Sequence, residues 1–162
     1  MSWCNRRTFL IGAVALGGCG FTPAYGPSGG AAGLLGRVEI EEPGDHYGYV
    51  LVRELEDRLG RTSSGKYYLS LSTTVERQEM AVTIGGLTNR FDLLGEATYA
   101  LMDKNTKEVL TTGKVDNFTG YSTTGTTVAT LAGETDAEER LMIMLADQIH
   151  AQLLAFAKTN PL

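Results

Sequence analysis

The sequence predicts an α/β (α+β) two-layer sandwich, a mixed four-stranded sheet with two helices packed on one face, in the order β-α-β-β-β-α. Three observations carry this. Four stretches alternate apolar and polar residues with the period of a half-buried strand. Two others repeat apolar residues at i, i+4, the mark of an amphipathic helix. Strand and helix signals fall in an order that allows one right-handed parallel crossover at the start and antiparallel neighbours after it.

The first strand is "RVEIEE", 37–42, where Val38 and Ile40 share a side between acids. "EPGD" breaks it, and Asp45 is placed to cap a helix over 46–59. Tyr47, Leu51, Leu55 and Leu59 form its stripe, Val50 and Val52 widen it, and Gly60 supplies a C-terminal stop. In 66–76 Leu69, Leu71, Thr73 and Val75 oppose Tyr68, Ser70, Ser72 and Thr74. In 90–102 Phe91, Leu93, Ala97, Tyr99 and Leu101 oppose Arg90, Asp92, Glu96 and Thr98. "DKNT", 103–106, is turn chemistry joining that strand to 108–121 as an antiparallel hairpin. The last strand is ambiguous in orientation, because Val109 and Val115 differ in parity from Leu110 and Phe118.

The final helix has the clearest stripe: Leu141, Leu145, Ile149, Leu153 and Phe156, flanked by Met142 and Ala146. Thr135 and Glu138 read as a capping box that starts it. With both helices on one sheet face, the other is left polar and rich in hydroxyls: Tyr68, Ser70, Ser72, Thr74, Thr98 and Thr112. Such residues suit an ordinary β surface, and equally a surface that meets another protein's polar wall. "IGGLTN", 84–89, reads as a hairpin tip or mobile loop, made unusually apolar by Ala81, Val82, Ile84 and Leu87. It lacks the Lys and helix start of a phosphate loop.

The N-terminal stretch is of another kind. Arg6 and Arg7 precede the apolar run Phe9–Leu16, which is too short for a permanent bilayer span and reads as an export signal over 1–18. The arginine pair leaves the general and the twin-arginine export routes both open. Leu16-Gly17-Gly18-Cys19 looks like a lipobox, in which the Cys thiol is acylated before cleavage just ahead of it. Cys19 is thus the lipid-attachment residue, and Gly20 after it favours the outer membrane over retention in the inner one. Several acyl chains, at about 0.8 kcal/mol per buried methylene, hold far more firmly than one.

Residues 19–36 read as the lipidated Cys and a flexible tether, rich in Gly, Pro and Ala, with Phe21 and Tyr25 as anchoring aromatics. Its reach is roughly 20 to 25 Å. Residues 37–162 form a single domain.

Composition excludes several functions. With Cys4 lost in the signal and Cys19 acylated, the mature domain has no thiol for catalysis, zinc or redox chemistry. Removal of Arg6 and Arg7 leaves 12 basic against 19 acidic residues, a net charge of −7 that disfavours nucleic acid as a partner. His46 and His150 lie on the two helices without a triad or metal-ligand spacing, so no cofactor is expected beyond the covalent lipid.

"CGFTPAYG", "NRFDLLGEATYAL" and "YSTTGTTVATLAGETDAEERLMIMLADQI" together resemble the LPS-assembly lipoprotein (LptE) family in its alphaproteobacterial form. The resemblance covers most of the mature chain in order. It implies a non-enzymatic outer-membrane lipoprotein, facing the periplasm, that plugs the LptD β-barrel, helps that barrel assemble, and assists delivery of lipopolysaccharide to the cell surface. A barrel lumen is lined by polar side chains, which a hydroxyl-rich face suits. It also implies lipopolysaccharide contact, for which Arg77, Arg90 and Lys114 are the candidates; Arg90 and Lys114 fall on the open face by parity and Arg77 borders the apolar loop. The residues alone also fit a periplasmic lipoprotein acting as a binding module of another envelope transport complex, or a lipoprotein enzyme with an unrecognised site.

Overall fold

The computed structural model describes residues 31–82, 88–123, 126–160 and 162. The export signal, Cys19, Phe21, Tyr25 and residues 84–87 of the apolar loop lie outside these. The elements are α1 (Ala31–Leu34), β1 (Val38–Ile40), α2 (His46–Leu59), β2 (Tyr67–Val82), β3 (Thr88–Asp103), β4 (Val109–Ser122) and α3 (Thr127–Thr159). The strands lie in the order β1-β2-β3-β4, with β1 parallel to β2 and the other two pairs antiparallel. This is the expected mixed sheet. The expected order gains only the single turn α1 ahead of β1.

α2 has the boundaries its sequence signals give. The Asp45 carboxylate accepts from the Gly48 N–H at 2.7 Å, capping one of the orphan donors of the first turn. At the other end Gly60 takes φ 84°, which an L side chain resists, and its N–H closes on the Glu56 carbonyl at 2.8 Å.

Both helices cover one face of the sheet. Tyr67 and Leu69 of β2, Leu93, Ala97, Tyr99 and Leu101 of β3, and Val115 and Tyr121 of β4 are buried beneath the stripes Val50, Leu51, Leu55 and Leu59 of α2 and Leu141, Leu145, Ile149 and Leu153 of α3. All the sheet members are odd-numbered because the register of β2 on β3 runs unbroken from Tyr67↔Asp103 to Glu79↔Phe91. At Gly95 α3 packs closely on the sheet: a Cβ there would sit 2.9 Å from Leu141 Cδ2. The helices are joined to each other by Tyr47 Oη donating to Glu138 at 3.0 Å, Arg53 to Glu139 at 2.7 Å and Arg58 to Asp147 at 2.8 Å. Ion pairs this exposed contribute little each, and they fix orientation more than stability.

Four expectations need correcting. α3 begins at Thr127, not at Thr135: the Thr126 hydroxyl accepts from the Ala129 N–H at 3.3 Å, while Thr135 sits inside the helix and donates to the Leu131 carbonyl at 3.1 Å. The extra turns carry exposed Val128 and Leu131, so no apolar stripe betrays them. β1 is shorter than 37–42, because Glu41 turns its carboxylate to accept from the Leu71 N–H at 3.0 Å and ends the ladder. β2 runs on to Val82 through Glu76–Met80, which are exposed on both faces and are held in a strand by β3. Leu34, assigned by composition to the tether, is wholly buried, so the folded body starts before residue 37.

The ambiguous β4 is resolved by an irregularity. Leu101 pairs with Thr111 but Met102 pairs with Val109, so Leu110 is the extra residue of a bulge and parity changes there. Val109 is exposed while Val115, Thr119 and Tyr121 face the helices.

The two candidate starts of α3 differ in what they cap. Thr126→Ala is expected to cost the first turns about 1 kcal/mol and speed amide exchange over residues 129–132 several-fold. Thr135→Ala leaves exchange there unchanged. Equal effects from the two substitutions would place the cap elsewhere.

Candidate functional site

The helix-free face of the sheet is laid out in rows, one side chain from each long strand. Ser70, Ala100 and Thr112 make one row; Ser72, Thr98 and Lys114 the next; Thr74, Glu96 and Asp116 the third; Glu76, Leu94 and Phe118 the fourth. The first two rows, with Glu41 at the margin, floor a shallow depression of about 610 Å³. Every hydroxyl expected on this face, Tyr68 included, is on it. The third and fourth rows form a second groove of about 550 Å³, lined by Thr74, Glu76, Leu94, Glu96, Asp116 and Phe118. Phe118 is 64% exposed there beside Leu94, ringed by carboxylates. This apolar pair was missed, although Leu94 shares parity with Arg90, Asp92 and Thr98.

The three cations expected to meet lipopolysaccharide are not gathered. Arg90 and Lys114 lie on the open face, but Arg90 pairs across to Ser122, eight residues along β4 from Lys114, about 26 Å of strand. Arg77 lies on the helix side. Each has a carboxylate: Arg77 with Glu134 at 3.0 Å, Arg90 with Asp92 at 3.3 Å, and Lys114 with Glu96 at 2.6 Å. The Arg77 guanidinium also lies 5.2 Å from the centre of the Phe91 ring. Asp92 is only 9% exposed, so the Arg90 pair covers a nearly buried charge.

Two of the phenols lie on the helix side of the sheet, away from this face. Burial, reinforced by the bond to Glu138, pushes the Tyr47 phenol up to about 12, out of range for proton transfer near neutrality. The Tyr99 phenol, also raised by burial, donates to Gln152 at 2.7 Å beneath the helices. Among the described residues no three His, Cys, Asp or Glu side chains gather to hold a metal, and no helix is long and apolar enough to cross a membrane.

His150, half-buried on α3, is held below the ordinary imidazole value, by burial first and by Arg58 second, with Asp147 opposing. A group harder to protonate when folded leaves stability intact above its unfolded value of about 6.5 and erodes it as pH falls through that value. His150→Gln is therefore expected to flatten the fall in melting temperature between about pH 7 and pH 5. An unchanged slope would assign the acid sensitivity to carboxylates.

A mixed four-stranded sheet with its long helices on one face and the other face open places the chain in the class of two-layer α+β sandwiches. The chain belongs to the LptE lipopolysaccharide-assembly family, whose model matches residues 35–153. Membership gives the chain a role in lipopolysaccharide assembly. Its fold is shared with a lipoprotein from Caulobacter crescentus (26% identity, TM-score 0.68, covering 82% of this chain and 98% of that one). It is also shared with rare lipoprotein B from Shewanella oneidensis (16%, 0.56, 76% and 95%) and a minor lipoprotein from Acinetobacter baumannii (21%, 0.53, 75% and 93%). No curated protein matches in sequence.

Proposed function

We propose that lipid on Cys19 moors the mature chain to the periplasmic side of the outer membrane, and that the domain seats in the lumen of the LptD β-barrel, helping it assemble and acting by occupancy, without catalysis or cofactor. The observation that carries this reading is the open sheet face. Its Ser70, Ser72, Thr74, Thr98 and Thr112 hydroxyls stand in register across three strands, a hydrogen-bonding surface that also carries the Lys114–Glu96 ion pair. A lumen wall of polar side chains is the complement of such a face. The lipid keeps the domain in the barrel's own membrane and so raises its effective concentration there.

Lipopolysaccharide contact through Arg77, Arg90 and Lys114 belongs to the same proposal. Each cation would exchange its carboxylate for a lipid phosphate, with Arg90 and Lys114 reaching separate points on one face. The test is extraction of the tagged full-length protein, followed by mass spectrometry. The mature chain is expected to carry acyl mass on Cys19 and to retain a large β-barrel. Cys19→Ser should still retain the barrel, and the Cys19→Ser chain made without that barrel should no longer stay with the membrane. Thr98→Glu, at the centre of the hydroxyl rows, should lower barrel retention with no change in melting temperature. An unmodified thiol at Cys19, or a wild-type chain that retains no barrel, would sink the reading.

A further inference from the structure

The sheet has two outer edges, and they are treated differently. Along β4 the outward backbone groups are covered by side chains: Gln148 of α3 donates to the Asp116 carbonyl at 3.3 Å, Asn117 Oδ1 accepts from the Phe118 N–H at 2.9 Å, and Arg140 donates to the Gly120 carbonyl at 3.5 Å. Such covers are how an edge strand is kept from pairing with another chain.

Among the described residues β2 has no such cover beyond its first few positions. It is β1's partner only from Tyr67 to Leu69, where the Tyr67 N–H donates to the Arg37 carbonyl and the Leu69 carbonyl accepts from the Glu41 N–H. Glu41 then takes the Leu71 N–H with its carboxylate, and the chain departs into α2. The backbone groups of odd residues therefore point outward. Since the register with β3 continues unbroken to Glu79, those of Thr73, Val75 and Arg77 do so as well. Among the described residues no main-chain bond reaches these three from that side.

Where β1 leaves, a notch of about 220 Å³ opens beside this edge. Leu71 and Val52 line its apolar part, and Glu41, Glu42 and Asp45 its rim. We propose that the edge of β2 from Thr73 to Arg77 is completed by an extended segment of a partner protein, added as a strand outside β2, with an Arg or Lys side chain lying in the notch.

Charge selects this occupant over a second copy of the chain. Two copies paired edge to edge would bring together two acidic rims and two Glu76 side chains, in a mature chain of net charge −7. A long basic side chain instead lays its methylenes on Leu71 and Val52 and its charge among the three carboxylates. Main-chain bonds would give the affinity and the notch the specificity, as in other strand additions.

The inference concerns how the chain is held and goes beyond occupancy of a barrel. Its test is residue-resolved amide exchange on the full-length lipidated protein, alone in detergent at two concentrations and in the assembly extracted from its own membrane. The amides of Thr73, Val75 and Arg77 are expected to exchange at least tenfold more slowly in the assembly, and equally fast in the free chain at both concentrations. Thr74 and Gln78, which face β3, should be slow throughout. Glu42→Lys is expected to restore fast exchange at Thr73 in the assembly. Thr73→Pro, which removes an outward N–H and leaves the β3 ladder whole, should cut partner retention at least tenfold without moving the melting temperature.

Three results overturn the inference: fast exchange at all three amides in the assembly, protection that grows with concentration of the free chain, or a chain that leaves the membrane alone with these amides fast. A barrel retained with the edge still fast would remove the added strand and leave the barrel reading standing. A slow edge with no barrel present would do the reverse.

Discussion

Leu145→Asp is expected to abolish the folded state. Leu145 is wholly buried at the middle of α3, between Leu141 and Ile149 on the stripe that packs against the sheet. Truncating such a leucine alone costs about 2 to 5 kcal/mol. An aspartate there must in addition lose its water, with no cation among the aliphatic side chains of the core, a penalty of several kcal/mol even after relaxation. The sum reaches the whole stability of an ordinary domain, about 5 to 15 kcal/mol. Near-ultraviolet circular dichroism should show no fixed tertiary signal and heating no cooperative transition. Leu131→Asp makes the same chemical change in the same helix at a side chain 64% exposed, and should shift stability by less than about 0.5 kcal/mol. A Leu145→Asp protein that melts like the wild type would mean that the α3 stripe does not face the sheet.

That contrast also marks what a sequence can display. Leu145 announces its burial because Leu141, Met142 and Ile149, one turn away on either side, are apolar. The cap at Asp45 and the stop at Gly60 are likewise local, each decided by a few consecutive residues, and α2 has the limits they set. The open face was legible for the same reason: the pleat alternates strictly while the register holds, so parity alone places Ser70, Ser72, Thr98 and Lys114 together.

What was hidden depends on contacts between distant segments. Leu34 looks like tether because nothing beside it shows the pocket it fills. The strand at Glu76–Met80 has no apolar rhythm, since both its faces are wet and only β3 holds it straight. The late start assigned to α3 concealed Glu134 as a helical residue, and with it the reason Arg77 is held on the helix side. The orientation of β4 stayed open because the bulge at Leu110 shifts parity, so that Val109 is exposed while Val115 is buried. The acidic groove around Leu94 and Phe118 is assembled from three strands and exists only once they are in register.

The close approach of α3 to the sheet gives a second large effect, and a sharper one. Gly95→Ala places a methyl 2.9 Å from Leu141 Cδ2 and 3.0 Å from its Cγ, inside contact distance, with the leucine wholly buried and unable to swing into solvent. Overpacking of this kind costs about 1 to 3 kcal/mol. Leu141→Ala alone should cost about 2 to 5 kcal/mol, through lost burial and the cavity left behind. If the glycine is there because of that leucine, the two losses cannot add. In the double variant the new methyl enters space that Leu141 has vacated, so the clash vanishes and the cavity shrinks. The double variant should be no less stable than Leu141→Ala alone, a coupling of about 1 to 3 kcal/mol measured by denaturant unfolding. Strict additivity would place the cost of Gly95→Ala in the β3 backbone and not in the meeting of helix and sheet.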